Sequence, residues 1–227
     1  MREILGSRCL VIGAHPDDEV LGCGGLIAAN FKTGGVTDVL IVSEGTAAQF
    51  DSNPDASARR KAQLSAASSK LGVRKIFHWN YPDMRLDEVS HIELNSRLHQ
   101  LLVEGGYEYV FTHHPYDVNL DHQVVFRSTL VATRPTPFSK VRGVFTYFVN
   151  SSTEWGVGSI SERLFPNCFL DISEWLETKL DAFSVYEEEV RDYPHPRSLD
   201  AIKNRAAVFG SDVGVKSAEA FSLIYWR

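Results

Sequence analysis

The sequence predicts an α/β fold of Rossmann-like type, a mostly parallel sheet with helices on both faces, built as a single domain over residues 1–227. Three observations predict it. Strand-like apolar runs alternate with helix-like segments almost to the last residue. The first four runs each sit one helix apart, the spacing of parallel strands joined by right-handed crossovers. Polar, chemistry-bearing residues follow directly on the first and fourth runs, where the strand tips of an open α/β sheet bind ligands.

The first strand is expected at 9–13, where Cys9-Leu10-Val11-Ile12 stops abruptly at polar residues. Helical spacing resumes through Leu26-Ile27-Ala28-Ala29, giving a helix over 19–32. Val39-Leu40-Ile41-Val42 marks a strand at 37–42, and an alanine-rich stretch marks a helix at 56–71. Strand 75–79, helix 92–103, strand 109–112 and helix 122–132 continue the alternation. Strands 144–148 and 221–225 bracket helices 172–190 and 199–208. Two long loops remain. The loop over 43–55 carries Gly45, Asn53 and Pro54 and is placed to act as a lid or substrate loop; that over 133–143 carries Pro135 and Pro137.

Composition narrows the function. A formal net charge of -6 argues against nucleic acid as the main partner. No apolar stretch reaches the roughly 18 residues of a membrane span, and the first residues lack the apolar core of a secretory signal. Three cysteines, Cys9, Cys23 and Cys168, have neither the even count of a disulfide framework nor a CxxC spacing. A reduced, cytoplasmic protein is expected, assembled as a homo-oligomer.

The chemistry is concentrated at two places. Ala14-His15-Pro16-Asp17-Asp18-Glu19 packs an imidazole and three acids into five positions at the first strand tip. Such a set is costly to bury and self-repelling unless a divalent cation neutralises it. His113-His114-Pro115-Tyr116-Asp117-Val118-Asn119-Leu120-Asp121-His122 follows the fourth run. If the two tips are neighbours, His15, Asp18 and His122 converge as two imidazoles and a carboxylate, the composition of a catalytic zinc site with an open position. Asp17 is then the general base. His113 and His114 are expected to hydrogen-bond their own loop. The run Gly22-Cys23-Gly24-Gly25-Leu26-Ile27 superficially suggests a dinucleotide site, but a pyrophosphate there would meet Asp17, Asp18 and Glu19.

These motifs resemble those of the LmbE/PIG-L family of zinc-dependent N-acetylglucosaminyl deacetylases, and the likeness runs over nearly the whole chain. Arg60, Leu71-Gly72-Val73 and Tyr81-Pro82-Asp83 resemble family segments, and Ser151-Ser152-Thr153-Glu154-Trp155 and Pro194-His195-Pro196-Arg197-Ser198 resemble a bacterial branch that makes surface polysaccharides and modified sugars. The resemblance implies that His15, Asp18 and His122 hold Zn2+, that Asp17 is the base and that Asp121 holds a ligand or tunes the bound water. Fe2+ also suits such a ligand set. It implies an N-acetylated amino sugar, free or nucleotide- or lipid-linked, as substrate, with Arg60, Asp83, Ser152 and Glu154 lining its pocket. Many members carry a histidine where this chain has Asn119, and an amide can donate to an oxyanion but delivers no proton. The acid role then falls to Asp17 acting twice or to another histidine, the candidate being His195, stiffened by Pro194 and Pro196, with Arg197 beside it to bind an anionic part of the substrate. The other readings are a non-catalytic metal-containing sugar-binding protein and an amidase acting on a non-sugar acetamide.

Overall fold

A computed structural model describes residues 1–45, 54–137, 139–156 and 166–227. The loop expected over 43–55 therefore lies largely outside the described residues. Among the described residues, seven strands and six α-helices follow one another in the chain. They are β1 (Arg8–Gly13), α1 (Asp18–Lys32), β2 (Val36–Ser43), α2 (Pro54–Leu71), β3 (Lys75–Tyr81), α3 (His91–Gly105) and β4 (Tyr109–Thr112). Then come α4 (Leu120–Ala132), β5 (Gly143–Tyr147), β6 (Cys168–Asp171), α5 (Leu176–Phe183), α6 (Leu199–Val213) and β7 (Ala218–Trp226).

The strands form one sheet in the order β3-β2-β1-β4-β5-β7-β6. The first five in that order are parallel, and β7 runs antiparallel to both β5 and β6. The winding reverses at β1, whose Cys9, Leu10 and Val11 pair with Tyr109, Val110 and Phe111 of β4. This reversal puts the ends of β1 and β4 side by side. β1 is buried on both faces beyond Arg8, as its unbroken apolar run requires in a parallel sheet. On one face Val11, Phe111, Phe145 and Tyr147 pack with Leu26, Leu64 and Leu180 of α1, α2 and α5. On the other, Leu10, Ile12, Leu40 and Val110 pack with Leu98, Leu102 and Val125 of α3 and α4.

The glycines of α1 serve this packing. A Cβ on Gly22 would stand 2.2 Å from the Tyr147 ring, and one on Gly25 would stand 2.5 Å from the Ile172 side chain. They let the helix lie close against the sheet, which accounts for the run that superficially suggested a dinucleotide site.

Two expectations differ. Strand β6, only four residues long, is absent from the sequence reading. The helix expected over 172–190 begins at Leu176 and ends at Phe183. Beyond it the chain turns through Tyr186 N–H to Phe183 O and Glu189 N–H to Tyr186 O, which carries Tyr186 and Glu189 inward.

Candidate active site

The site is built on the adjoining tips of β1 and β4. Past Gly13 the chain turns sharply, and Asp17 adopts φ 124°, a region that L-residues rarely occupy. Three contacts hold this turn. Ala14 N–H donates to His113 Nε2 at 2.9 Å, His15 N–H to Asp18 Oδ2 at 2.8 Å, and Asp17 N–H to Glu19 Oε2 at 3.0 Å. Glu19 is fully buried and also accepts from the Tyr186 hydroxyl at 2.6 Å. Burial, first of all, raises its pKa to about 7.

His15, Asp18 and His122 each offer one atom to a common point, all within 4.8 Å of one another. His122 Nε2 faces His15 Nδ1 at 3.3 Å and Asp18 Oδ1 at 3.4 Å. Asp18 Oδ1 is buried and accepts no hydrogen bond. The outer ring nitrogens are engaged elsewhere, His122 Nδ1 with Asp117 Oδ1 at 3.2 Å and His15 Nε2 with Asp121 Oδ2 at 3.2 Å. With protons on those outer nitrogens, both inner lone pairs and a carboxylate oxygen point at one place. That arrangement fits a divalent cation such as zinc or iron(II) and is unfavourable without positive charge. The proton affinity of His122 says the same. Burial opposes its charge, yet Asp18 and Asp117 raise its pKa to about 9.

Asp117 is the residue that the sequence reading left without a role. Its carboxylate accepts from Asn119 N–H at 2.9 Å, Thr153 Oγ1 at 2.8 Å and Ser152 Oγ, besides facing His122. Burial alone would raise its pKa; the His122 charge and these bonds hold it well below the usual carboxylate range. Only its place three residues after His114, in a run of polar residues, hinted at it. Asp121 Oδ1 is likewise occupied, by Leu86 N–H at 3.0 Å. His113 stacks on His122 with ring centroids 3.8 Å apart, and burial, with the His122 charge, lowers its pKa to about 4. Its Nε2 lone pair is used by Ala14 N–H, so it braces the turn after β1 and not its own loop, whereas His114 does serve that loop, its Nδ1 accepting from Tyr116 N–H at 3.3 Å.

Beside the convergent set opens a pocket lined by His15, Asp17, Arg60, Asp83, Asn119 and Arg197, with Pro16, Gly45, Met84 and Glu189. Asp17 Oδ2 meets Arg197 Nη1 at 3.0 Å. Burial raises the Asp17 pKa to about 8, against the opposing pull of Arg197. Asp83 Oδ1 reaches His15 Nε2 at 3.1 Å. Asn119 caps α4, its Oδ1 accepting from Asp121 N–H at 2.9 Å, and its amide nitrogen is turned towards the Met84 sulfur at 3.6 Å.

Four expected roles meet a different geometry. Ser152 is buried behind His122, bonded to Asp117, so it supports the ligand's partner and does not line the pocket. Glu154 closes its own loop by accepting from Ser151 and Ser152 N–H at 2.9 and 3.1 Å. His195 lies edge-on to Trp155 and accepts from Arg197 N–H at 3.1 Å, which folds its ring back on its own segment and away from the lining of the pocket. Arg197, expected to meet an anionic part of the substrate, has its guanidinium on Asp17 and Glu189.

A fold of this kind with imidazoles and acids gathered at the switch in strand order is a scaffold for small-molecule chemistry. Residues 10–133 match the family model of PIG-L, GlcNAc-PI de-N-acetylase, and the chain belongs to that deacetylase family. It is similar to the uncharacterized deacetylase YaiS of Escherichia coli strain K12, 29% identical over 136 residues that span 56% of this chain and 69% of that one. Its fold matches that of the conserved protein TT1542 from Thermus thermophilus with a TM-score of 0.78 at 24% identity, covering 96% of this chain and 95% of that one. The N,N'-diacetylchitobiose deacetylase from Pyrococcus horikoshii, solved with an inhibitor, gives a TM-score of 0.78 at 23% identity, covering 96% and 83%. Among the described residues no helix is long and apolar enough to cross a membrane.

Proposed function

We propose that this protein hydrolyses the acetamide of an N-acetylated amino sugar, releasing acetate and a free amine. The observation that carries the reading is the Asp17 carboxylate beside the convergence of His15, Asp18 and His122. A divalent ion, zinc or iron(II), held by those three residues supplies Lewis-acid chemistry, polarising the acetyl carbonyl and acidifying a water molecule. Asp17 takes the proton of the attacking water at its carboxylate, which burial makes more basic than an ordinary aspartate. Arg197 keeps that carboxylate aimed. The Asn119 amide donates a hydrogen bond to the developing oxyanion, and Asp121 and Asp117 fix the rings of His15 and His122. Asp17 then returns the proton to the departing nitrogen, a role that falls to it because Asn119 carries no such proton. Arg60 and Asp83 line the sugar side of the pocket.

The test is acetate release from a panel of N-acetylated sugars by the zinc- or iron-loaded protein and by Asp17→Asn. The wild type should turn over at least one sugar. The variant should keep its metal and lose on the order of 10²- to 10⁴-fold in kcat. Near-normal turnover by metal-loaded Asp17→Asn would exclude Asp17 as the base.

A further inference from the structure

The forms in which N-acetylated sugars reach an enzyme include uncharged sugars and glycosides and sugars with phosphate on the anomeric oxygen. Granting the deacetylase reading above, the charges of the pocket choose between them. With His15 taken up as a ligand of the ion, its cations among the described residues are Arg60 and Arg197, and both are held by protein carboxylates. Arg60 Nη2 lies 2.5 Å from Glu189 Oε1, and the guanidinium sits over the Tyr186 ring at 5.9 Å. Arg197 Nη1 lies between Asp17 Oδ2 and Glu189 Oε2, while its Nε donates to Ser151 Oγ at 2.7 Å. Glu189 is itself 4% exposed. Two guanidiniums and two carboxyl groups thus close on one another, each guanidinium engaged by protein oxygens.

What else lines the pocket is acidic or uncharged. Asp83 lines it and reaches His15 Nε2 at 3.1 Å, with Asp121 buried behind on the same nitrogen at 3.2 Å. Asn119 offers an amide, and Met84, 51% exposed, offers an apolar face. Sugar hydroxyls donate to carboxylates and sugar C–H faces pack on a thioether, so the lining suits an uncharged polyol. A phosphate brings only acceptors at neutral pH and would be repelled by Asp83. An ion on His15, Asp18 and His122 leaves this balance in place, since its two charges stand against Asp18, Asp121 and Asp117. The sequence outside the described residues adds no net positive charge: 46–53 holds Asp51, and 157–165 holds Glu162 with Arg163. We infer that this enzyme deacetylates uncharged amino sugars and their glycosides and discriminates against those carrying phosphate or a nucleotide diphosphate beside the acetamido sugar.

Acetate release by the zinc-loaded protein should be compared for N-acetylglucosamine, its methyl glycoside, its anomeric phosphate and the uridine diphosphate sugar, at low and high ionic strength. The uncharged pair should exceed the phosphorylated pair at least about tenfold in kcat/KM, with a gap that narrows as salt screens the repulsion. Glu189→Gln removes the negative charge that both arginines share and should shift the ratio towards the phosphorylated pair. Equal or better turnover of the phosphorylated pair by the wild type would overturn the inference and leave the deacetylase reading standing. A preference that salt does not alter would also overturn it, and this result needs no variant to fold. No acetate from any of the four would overturn the deacetylase reading and the inference together.

Discussion

Asp18, the first residue of α1, and Glu219, packed against that helix, are both buried carboxylates, and they are treated in opposite ways. Glu219, on β7, accepts from Gly25 N–H and Leu26 N–H at 2.8 Å each and from Lys179 Nζ at 2.7 Å. Lys179 in turn donates to Leu21 O at 2.8 Å. Every charge is answered by the protein, and the result is a pin joining α1, α5 and β7. Asp18, at the start of the same helix, keeps an oxygen without a hydrogen bond and has the rings of His15, His113 and His122 around it. A buried acid with a complete set of partners marks structure; one left open towards converging lone pairs marks a place for a ligand.

Crossed substitutions would break that contrast most sharply. Asp18→Asn should lose stoichiometric metal by elemental analysis and essentially all activity. The zinc-induced stabilisation of the wild type, about 2.7 kcal/mol at a hundredfold excess over Kd, should vanish with it in thermal or denaturant unfolding. Glu219→Gln leaves the Lys179 charge buried beside a neutral amide and should cost about 3–5 kcal/mol of stability. It should still bind one equivalent of metal and still show the zinc-induced shift. If the two variants exchanged these outcomes, the distinction between the two acids would be wrong. A smaller effect sharpens it: Asp117→Asn weakens the partner of His122 Nδ1, together with the bonds Asp117 accepts from Asn119 N–H, Ser152 and Thr153, and should lower metal affinity about 10- to 100-fold, measured by competition with a chelator.

The strands and helices that position the site were legible because each is a continuous apolar run or a periodic one. β1 and β4 needed only their tips to be neighbours for His15, Asp18 and His122 to meet. Two things were not legible. Four-residue β6 has too few residues to display a period, and it is held by antiparallel pairing with β7. The early end of α5 follows from tertiary contacts: Tyr186 gives its hydroxyl to Glu19, and Glu189 takes up Arg60 and Arg197, demands that no helical pattern announces. Ser152 was assigned to the sugar and instead bonds Asp117 behind His122, because a one-dimensional motif does not say on which side of His122 a residue lies. Asp117 was hidden in plain view, since nothing in its residue type separates a ligand's partner from an ordinary loop aspartate.

The early stop of α5 also divides labour along the chain. The candidate ligands and base lie within residues 10–133, the portion that the family pattern covers. Tyr186, Glu189 and Arg197, which surround Asp17 and its turn, come from the remainder. The candidate ligands and base and their electrostatic setting therefore come from separate stretches of the chain. Exchange of the 184–198 segment would change the surroundings of Asp17 and Glu19 while leaving the residues that converge at His15, Asp18 and His122 in place.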